Sequence, residues 1–337
     1  MATPVSRVVT YSPALTLVPT YECFNRCQYC NFRVDPGQDD WLSLTVARDR
    51  LQWAKTQGVI EVLILSGEVH PQSPRRRLWL ERIEALCQLA LGMGLLPHSN
   101  AGPLSVAEMV RLKRVNVSMG LMLEQVTPTL LKGVHRHAPS KVPTVRLRQL
   151  DQAGQLHIPF TTGLLLGIGE TDRDRIDTLE AIAQCHRRWG HIQEVILQPH
   201  QPGQHQATAY ASLSSATLME TIAQARQILP TEITLQVPPN LIAEPAHLLA
   251  ALGQGARDLG GIGPKDEVNP DYPHPQVEQL RSTLQTQGWQ LQRRLPVYPA
   301  YLPWLPQPLR TLTQGWLSQI NNAFGTPDTH PKDSRLP

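Results

Sequence analysis

Nowhere does this chain carry the roughly 18 consecutive apolar residues of a membrane-crossing helix. Its first residues, Met-Ala-Thr-Pro-Val-Ser-Arg, hold no apolar signal core. A charge of dominant sign is also missing. The 31 basic residues face 28 acidic ones and leave a net charge of +3, which makes no case for nucleic acid or an anionic membrane as partner. Cysteines are few and odd in number, five in all. That argues against a disulfide framework and for a reducing compartment, so the expected setting is cytoplasmic. Neither a fixed-period repeat nor a low-complexity tract is visible. What remains is an ordinary globular composition, 41% hydrophobic and 18% charged over 337 residues, long enough to bury a large core. The 30 prolines and 22 glycines imply many turns between apolar runs.

The most informative absence is of a fourth cysteine near the other three. Cys23, Cys27 and Cys30 are spaced C-x₃-C-x₂-C in the stretch Cys23-Phe24-Asn25-Arg26-Cys27-Gln28-Tyr29-Cys30. They follow an apolar run, Ala14–Val18, that reads as a strand. Three thiolates on one short loop can converge on a metal cluster, and an electron-transfer 4Fe–4S cluster takes four. Cys87 and Cys185 lie far along the chain, so one iron is left open to a non-protein ligand. The same cysteines also suit zinc with a histidine, or stand as unrelated buried thiols; the first histidine after Cys30 is His70. The motif resembles that of the radical SAM enzymes, whose open iron chelates S-adenosylmethionine. In that family an aromatic residue placed like Tyr29 lies near the adenine.

Strand-like and helix-like stretches alternate along the chain. Predicted strands are Val59–Leu65, Leu95–Ser99, Val115–Leu123, Ile158–Leu166, Glu194–Gln198, Ile233–Val237 and Ala256–Ile262. Predicted helices are Leu44–Gln57, Arg75–Met93, Val106–Lys113, Val145–Ala153, Asp172–Trp189, Ala216–Ile228, Ala246–Leu252, His274–Gln287 and Leu309–Ile320. Residues 1–12 read as a polar arm, and 124–142 as a long connection rich in His, Lys and Pro. Continuous apolar strands suit a parallel sheet covered on both faces. The alternation predicts an α/β fold, a (β/α) TIM-like barrel, complete or nearly so. Residues 9–250 are expected to form the core barrel, 251–324 to complete it and the substrate pocket, and 325–337 to be a loose tail. In such barrels chemistry sits at the C-terminal strand ends, where the cysteines fall.

Further motifs follow other strands. Ser66-Gly67-Glu68 follows the second. Glycine permits close backbone approach, and Glu68 can bind an ammonium, although a Gly-Glu pair is also a common turn. Glu124 leaves the fourth strand and can hydrogen-bond a ribose or an ammonium, or stand as a solvated rim carboxylate. Arg146 and Arg148 can fork a carboxylate or lie exposed on a helix. Gly163-Leu164-Leu165-Leu166-Gly167-Ile168-Gly169-Glu170 matches the radical SAM pattern G-x-[IL]-x-G-x-x-E. The resemblance implies that Gly67 and Glu68 hold the methionine amino group, that Gly163 and Gly167 approach the adenine, and that Glu170 fixes the loop; the carboxylate that Arg146 and Arg148 can fork would be that of the methionine.

Three stretches resemble the 7,8-didemethyl-8-hydroxy-5-deazariboflavin synthase family. They are Tyr21-Glu22-Cys23 through Cys30-Asn31-Phe32, Thr162 through Thr171, and Asp258-Leu259-Gly260-Gly261-Ile262-Gly263-Pro264 with Val268-Asn269-Pro270. The stretch Arg294-Leu295-Pro296-Val297-Tyr298-Pro299 is also similar. Family members usually have Ser where this chain has Gly263, and an aromatic residue where it has His274. The resemblance implies a 4Fe–4S cluster and S-adenosylmethionine as cofactors and 5-amino-5-(4-hydroxybenzyl)-6-(D-ribitylimino)-5,6-dihydrouracil as substrate. The products would be a deazaflavin, ammonia, 5′-deoxyadenosine and methionine. It also implies a reducing electron donor and a partner synthase that joins tyrosine to the ribityl-uracil. Asp266 and Asn269 are expected in the substrate pocket, though Asn269-Pro270 also suits the end of an element. No residue stands out for proton transfer. His200 and His205, in the loop after the sixth strand, are candidates, or plain solvated histidines. The partner synthase itself, a biotin synthase relative and a non-catalytic zinc protein are the alternatives.

Overall fold

The computed structural model describes residues 7–206, 211–242 and 244–323. In chain order the elements are β1 (Val8–Leu17), α1 (Leu44–Thr56), β2 (Glu61–Leu65), α2 (Arg76–Gly92), β3 (Leu96–Asn100), α3 (Val106–Lys113), β4 (Ser118–Gly120), α4 (Pro143–Gln155), β5 (Phe160–Leu166), α5 (Asp172–Trp189), β6 (Ile192–Pro199), α6 (Ser215–Ile228), β7 (Thr234–Gln236), α7 (Pro245–Gly253), β8 (Asp258–Ile262), α8 (Val277–Gln285), β9 (Gln290–Arg293) and α9 (Gln307–Ala323).

Strands β1 to β8 pair in sequence order, all parallel, and β8 returns to β1 to close the barrel. This is the complete TIM-like barrel that the alternation of elements predicts. Strand β5 shows why it forms: every residue of Phe160–Leu166 is buried, as a strand packed on both faces requires. The helices are set by local signals. Thr171 and Asp174 form a reciprocal capping box at the start of α5, and Gly190 ends it in the left-handed conformation. No helix among the described residues is long and apolar enough to cross a membrane.

The chain's start departs from expectation. Residues 8–12 are not an arm but the first half of β1, which alternates buried and half-buried positions with Val9 and Tyr11 inside. Residues 1–6 and the expected tail, 325–337, lie outside the described residues. Val8–Tyr11 pairs with β9, a strand that the sequence reading lacked. The helix read over His274–Gln287 is shorter, Val277–Gln285. The strand read over Val115–Leu123 keeps only Ser118–Gly120 in the sheet.

After β9 the chain crosses the N-terminal ends of the strands and plugs them. Leu295, Val297, Tyr301, Leu305 and Leu309 pack against Ile60, Leu96 and Val117, which begin or precede β2, β3 and β4. Arg294 turns into the barrel. Its guanidinium meets both oxygens of Asp258 at 2.6 and 2.8 Å and Glu194 Oε1 at 2.9 Å, with Glu61 Oε2 at 3.9 Å. The barrel is therefore floored below and has its mouth at the C-terminal strand ends.

Candidate functional site

The cysteine loop leaves β1 at that mouth and is pinned by backbone bonds to its neighbours. Phe24 N donates to Glu68 O at 3.0 Å, Arg26 N to His137 O at 2.7 Å and Gln28 N to Val134 O at 3.0 Å. Buried Glu22 accepts from Gly37 N, Trp41 Nε1 and Arg75 Nη1 at 2.7, 3.2 and 2.6 Å. Gly67 lies so close beneath the loop that a Cβ there would stand 2.1 Å from Glu22 O; only glycine fits.

Cys23, Cys27 and Cys30 are half-buried, while Cys87 and Cys185 are buried elsewhere. Burial pushes the Cys23 thiol up to about 11, and the nearby charges of Glu68 and Cys30 act the same way. Burial takes Cys27 to about 12, opposed by Lys141 and reinforced by Cys30 and Cys23. Among the described residues no three His, Cys, Asp or Glu side chains are grouped to hold a single metal ion. A 4Fe–4S cluster asks for less convergence, because each thiolate meets a different iron. The donor set, three thiols with a lysine charge nearby, fits such a cluster.

Beside the loop the structure joins several of the sequence candidates into one network. Glu68 Oε2 accepts from Asn25 Nδ2 at 2.9 Å and from Ser140 Oγ; its Oε1 accepts from Arg146 Nη2 at 2.9 Å. Arg146 is fully buried and also donates to Ser140 O at 3.1 Å and Met122 O at 2.5 Å. Arg148 is exposed on the far side of α4. Glu124, in the left-handed region at φ 64°, pairs with Lys141. Burial and Arg146 lower the Lys141 pKa, but Glu124, Cys27 and Glu68 outweigh them and hold it above its ordinary value. Tyr29 hydrogen-bonds His135 Nε2 at 3.0 Å and packs against Leu130, Val134, Leu165 and Ile168.

Other candidates make contacts within the scaffold. Ser66 Oγ accepts from Trp79 Nε1 at 2.9 Å and faces α2. A Cβ at Gly163 would stand 2.4 Å from Ile196 O, so that glycine serves the β5–β6 contact. Gly167 has φ +88°. Glu170 accepts from Gly167 N and Ile168 N, both at 2.8 Å, and pairs with Arg175 at 2.9 Å. His200 is buried and its pKa lowered, by burial first. His205 is exposed, its backbone N–H on Asn31 Oδ1 at 2.7 Å.

Below the mouth runs a polar lumen. Its wall includes Glu61, His98, Thr161, Glu194, Gln236 and Arg294 toward the floor, and Asn240, Asp266, Asn269 and His274 toward the rim. Asp266 holds its own turn, accepting from Val268 N and Asn269 N, both at 2.9 Å. It also accepts from Asn240 Nδ2 at 2.8 Å and Asn269 Nδ2 at 3.2 Å. The turn and the pocket wall are one structure. The cysteine loop is tied to this rim by Tyr21–Glu267 at 2.7 Å and Asn31–Asp271 at 3.0 Å. Asn25, Ser140, Lys141, His98 and the Arg294 cluster are absent from the sequence reading. Asn25 lies inside the cysteine loop, Ser140 and Lys141 in the connection 124–142, and Arg294 and Asp258 in the family-like stretches, but none was singled out there; His98 lay in no flagged stretch.

A family model described as the radical SAM superfamily matches residues 17–182. The chain is 64% identical over 317 residues to the 7,8-didemethyl-8-hydroxy-5-deazariboflavin synthase of Synechococcus elongatus, covering 94% of each chain. It is 61% identical over 313 residues to the same-named protein of Trichormus variabilis, covering 93% of this chain and 92% of that one. Among solved structures it is similar to the FeFe-hydrogenase maturase HydG from Carboxydothermus hydrogenoformans, with TM-score 0.73 at 17% identity over 93% of this chain and 78% of the other. It is similar also to methylornithine synthase, with TM-score 0.66 at 15% identity over 85% and 84%. At those identities the two structures share its fold.

Proposed function

The chain belongs to the 7,8-didemethyl-8-hydroxy-5-deazariboflavin synthase family of the radical SAM superfamily, and on that premise we propose that it forms the deazaflavin ring from 5-amino-5-(4-hydroxybenzyl)-6-(D-ribitylimino)-5,6-dihydrouracil with loss of ammonia, a carbon–nitrogen lyase reaction. The observation that carries the reading is the joining of two features at one mouth. The three-cysteine loop lies on the rim of a polar lumen and is bonded to the lumen's upper wall through Tyr21 and Glu267.

Cys23, Cys27 and Cys30 would hold the cluster. When bound, the reduced cluster and S-adenosylmethionine supply a carbon radical able to take a hydrogen atom from the substrate. The protein's part is orientation and exclusion of water. Glu68 and Glu124 offer carboxylates to the cofactor's ammonium and ribose, each already aimed by a buried cation, Arg146 or Lys141. Tyr29 would stand at the adenine side. Gly67, Gly163, Gly167 and Glu170 set the backbone around it. In the lumen wall, Asn269 has an amide N–H on Asp266, which leaves its carbonyl for a substrate N–H or hydroxyl. The reading implies an external one-electron donor, a partner synthase that supplies the adduct, and a reducing, cytoplasmic setting.

The test is anaerobic reconstitution followed by turnover with the tyrosine–uracil adduct, read by deazaflavin fluorescence. The expected protein is brown, with about four irons, and fluorescent product accumulates. Cys27→Ala loses both iron and product, whereas Cys87→Ala keeps both. A colourless protein with stoichiometric zinc, or full turnover by Cys27→Ala, would sink the reading.

A further inference from the structure

Part-way down the lumen, on β3, stands His98. Its ring lines the cavity and is only 7% exposed. Its tautomer is dictated by partners without a choice. The Pro296 carbonyl, in the floor segment, can only accept. It takes an N–H from Gln193 Nε2 at 2.9 Å and the hydroxyl of Ser118 at 2.6 Å. With its single proton so committed, Ser118 Oγ accepts from His98 Nδ1 at 2.7 Å. The ring proton therefore sits on Nδ1, and Nε2 keeps a lone pair. That nitrogen has no partner among the described residues. Burial, and then the positive charge of Arg294, lower the ring's pKa to about 3, so it stays neutral and accepts a hydrogen bond without taking the proton.

Beneath it the floor is rich in acceptors. Glu61 and Glu194 line it, and with Asp258, which is wholly buried and does not line the lumen, they share one guanidinium, that of Arg294. A closed end lined by acceptors suits a ligand portion rich in donors. On the function proposed above, the substrate has one such portion. Its reacting benzyl and uracil atoms must lie at the mouth, beside the cysteine loop. The ribityl chain, with its row of hydroxyls, is the end left to point downward.

We propose that the substrate's ribityl chain threads down the barrel toward its floor and that His98 Nε2 accepts a hydrogen bond from one of its hydroxyls, with Ser118 and the Pro296 carbonyl as the positioning pair. This inference rests on the proposed substrate and adds its direction in the barrel and a residue that reads it.

The experiment compares two fluorescent ligands by equilibrium titration of the reconstituted enzyme: the deazaflavin product, and a counterpart whose ribityl chain is replaced by an alkyl chain without hydroxyls. In His98→Phe, binding of the ribityl compound should weaken about tenfold, the loss of roughly one hydrogen bond. The alkyl compound should bind no worse than to wild type. His98→Gln, which puts an acceptor back near Nε2, should recover most of the loss. An equal loss for both ligands, or no loss for either, overturns the inference. If wild type still turns over the adduct in that case, the proposed function stands without it. A wild type that neither binds deazaflavin nor converts the adduct overturns both.

Discussion

Glu68 has two duties that its place after β2 does not reveal. It faces the site, and it is the counter-charge of a fully buried Arg146. Truncation to alanine would strand that guanidinium, a loss of about 3–5 kcal/mol for a broken buried pair, and would confuse folding with binding. Glu68→Gln keeps an acceptor for Arg146 while removing the charge. The variant should stay folded and take up the cluster, yet bind S-adenosylmethionine more weakly, by about 1.5–3 kcal/mol for one charge-assisted bond. Unchanged affinity, measured by equilibrium binding to the cluster-loaded variant, would refute a role in holding the amino group. Glu68 itself was legible in the sequence because a motif flagged it. Its pairings were not: Asn25 and Ser140 meet across 115 positions, and Arg146, itself a candidate, lies 78 positions from Glu68. His98 had no local mark at all, since its tautomer depends on a carbonyl 178 positions beyond Ser118.

Among the elements, those buried on both faces announced themselves. The apolar runs before Ser66 and through Leu166 are strands, and they carry the Gly-Glu and Gly-rich ends to the mouth. Strand β9 did not. Among the described residues Gln290-Leu291-Gln292-Arg293 pairs only with β1, at the barrel's lower end, and is not enclosed, so it has no apolar run to display. Strand β4 is shorter than its apolar run at both ends; beyond Gly120 the backbone keeps single bonds to β5, from Leu121 N to Thr161 O at 3.0 Å and from Glu124 N to Gly163 O at 3.1 Å. The contact between the first two βα loops rests on Gly67, where an added Cβ would meet backbone on the cysteine loop at 2.1 Å. Since backbone cannot rotate away, Gly67→Ala should cost about 1–3 kcal/mol or more and lower iron content after reconstitution. A wild-type denaturation midpoint in this variant would show that the loop is not clamped there.

On the scale of the whole molecule, the floor ties the last part of the chain to the first. Arg294 binds carboxylates from β6 and β8 and approaches Glu61 on β2. Burial pushes the Glu194 carboxyl well above its ordinary value of 4.5; Arg294 opposes this, and the charges of Asp258 and Glu61 add to it. A raised carboxyl holds its proton more tightly folded than unfolded. Between the ordinary value and the raised one, the native state therefore binds more protons than the unfolded state, and stability falls as pH rises. Gln cannot ionise. The stability of Glu194→Gln relative to wild type should thus improve from about pH 5 to about pH 8, by on the order of 1 kcal/mol or more. Urea midpoints of both proteins at the two pH values check this. A difference that stays constant, or shrinks with pH, would mean that Glu194 is ionised throughout.

The plug of Leu295, Val297 and Tyr301 under β2, β3 and β4 also sets a traffic rule. A tube stoppered at one end is filled and emptied as a stack: what sits deepest goes in first and comes out last. On the proposed function, the adduct should therefore load ahead of S-adenosylmethionine, and the deazaflavin should depart after methionine and 5′-deoxyadenosine have cleared the way. Enzyme mixed first with S-adenosylmethionine should show a lag on meeting the adduct, while the reverse order starts at full speed. Identical rapid-mixing traces from both orders would mean that the wall opens somewhere other than the mouth.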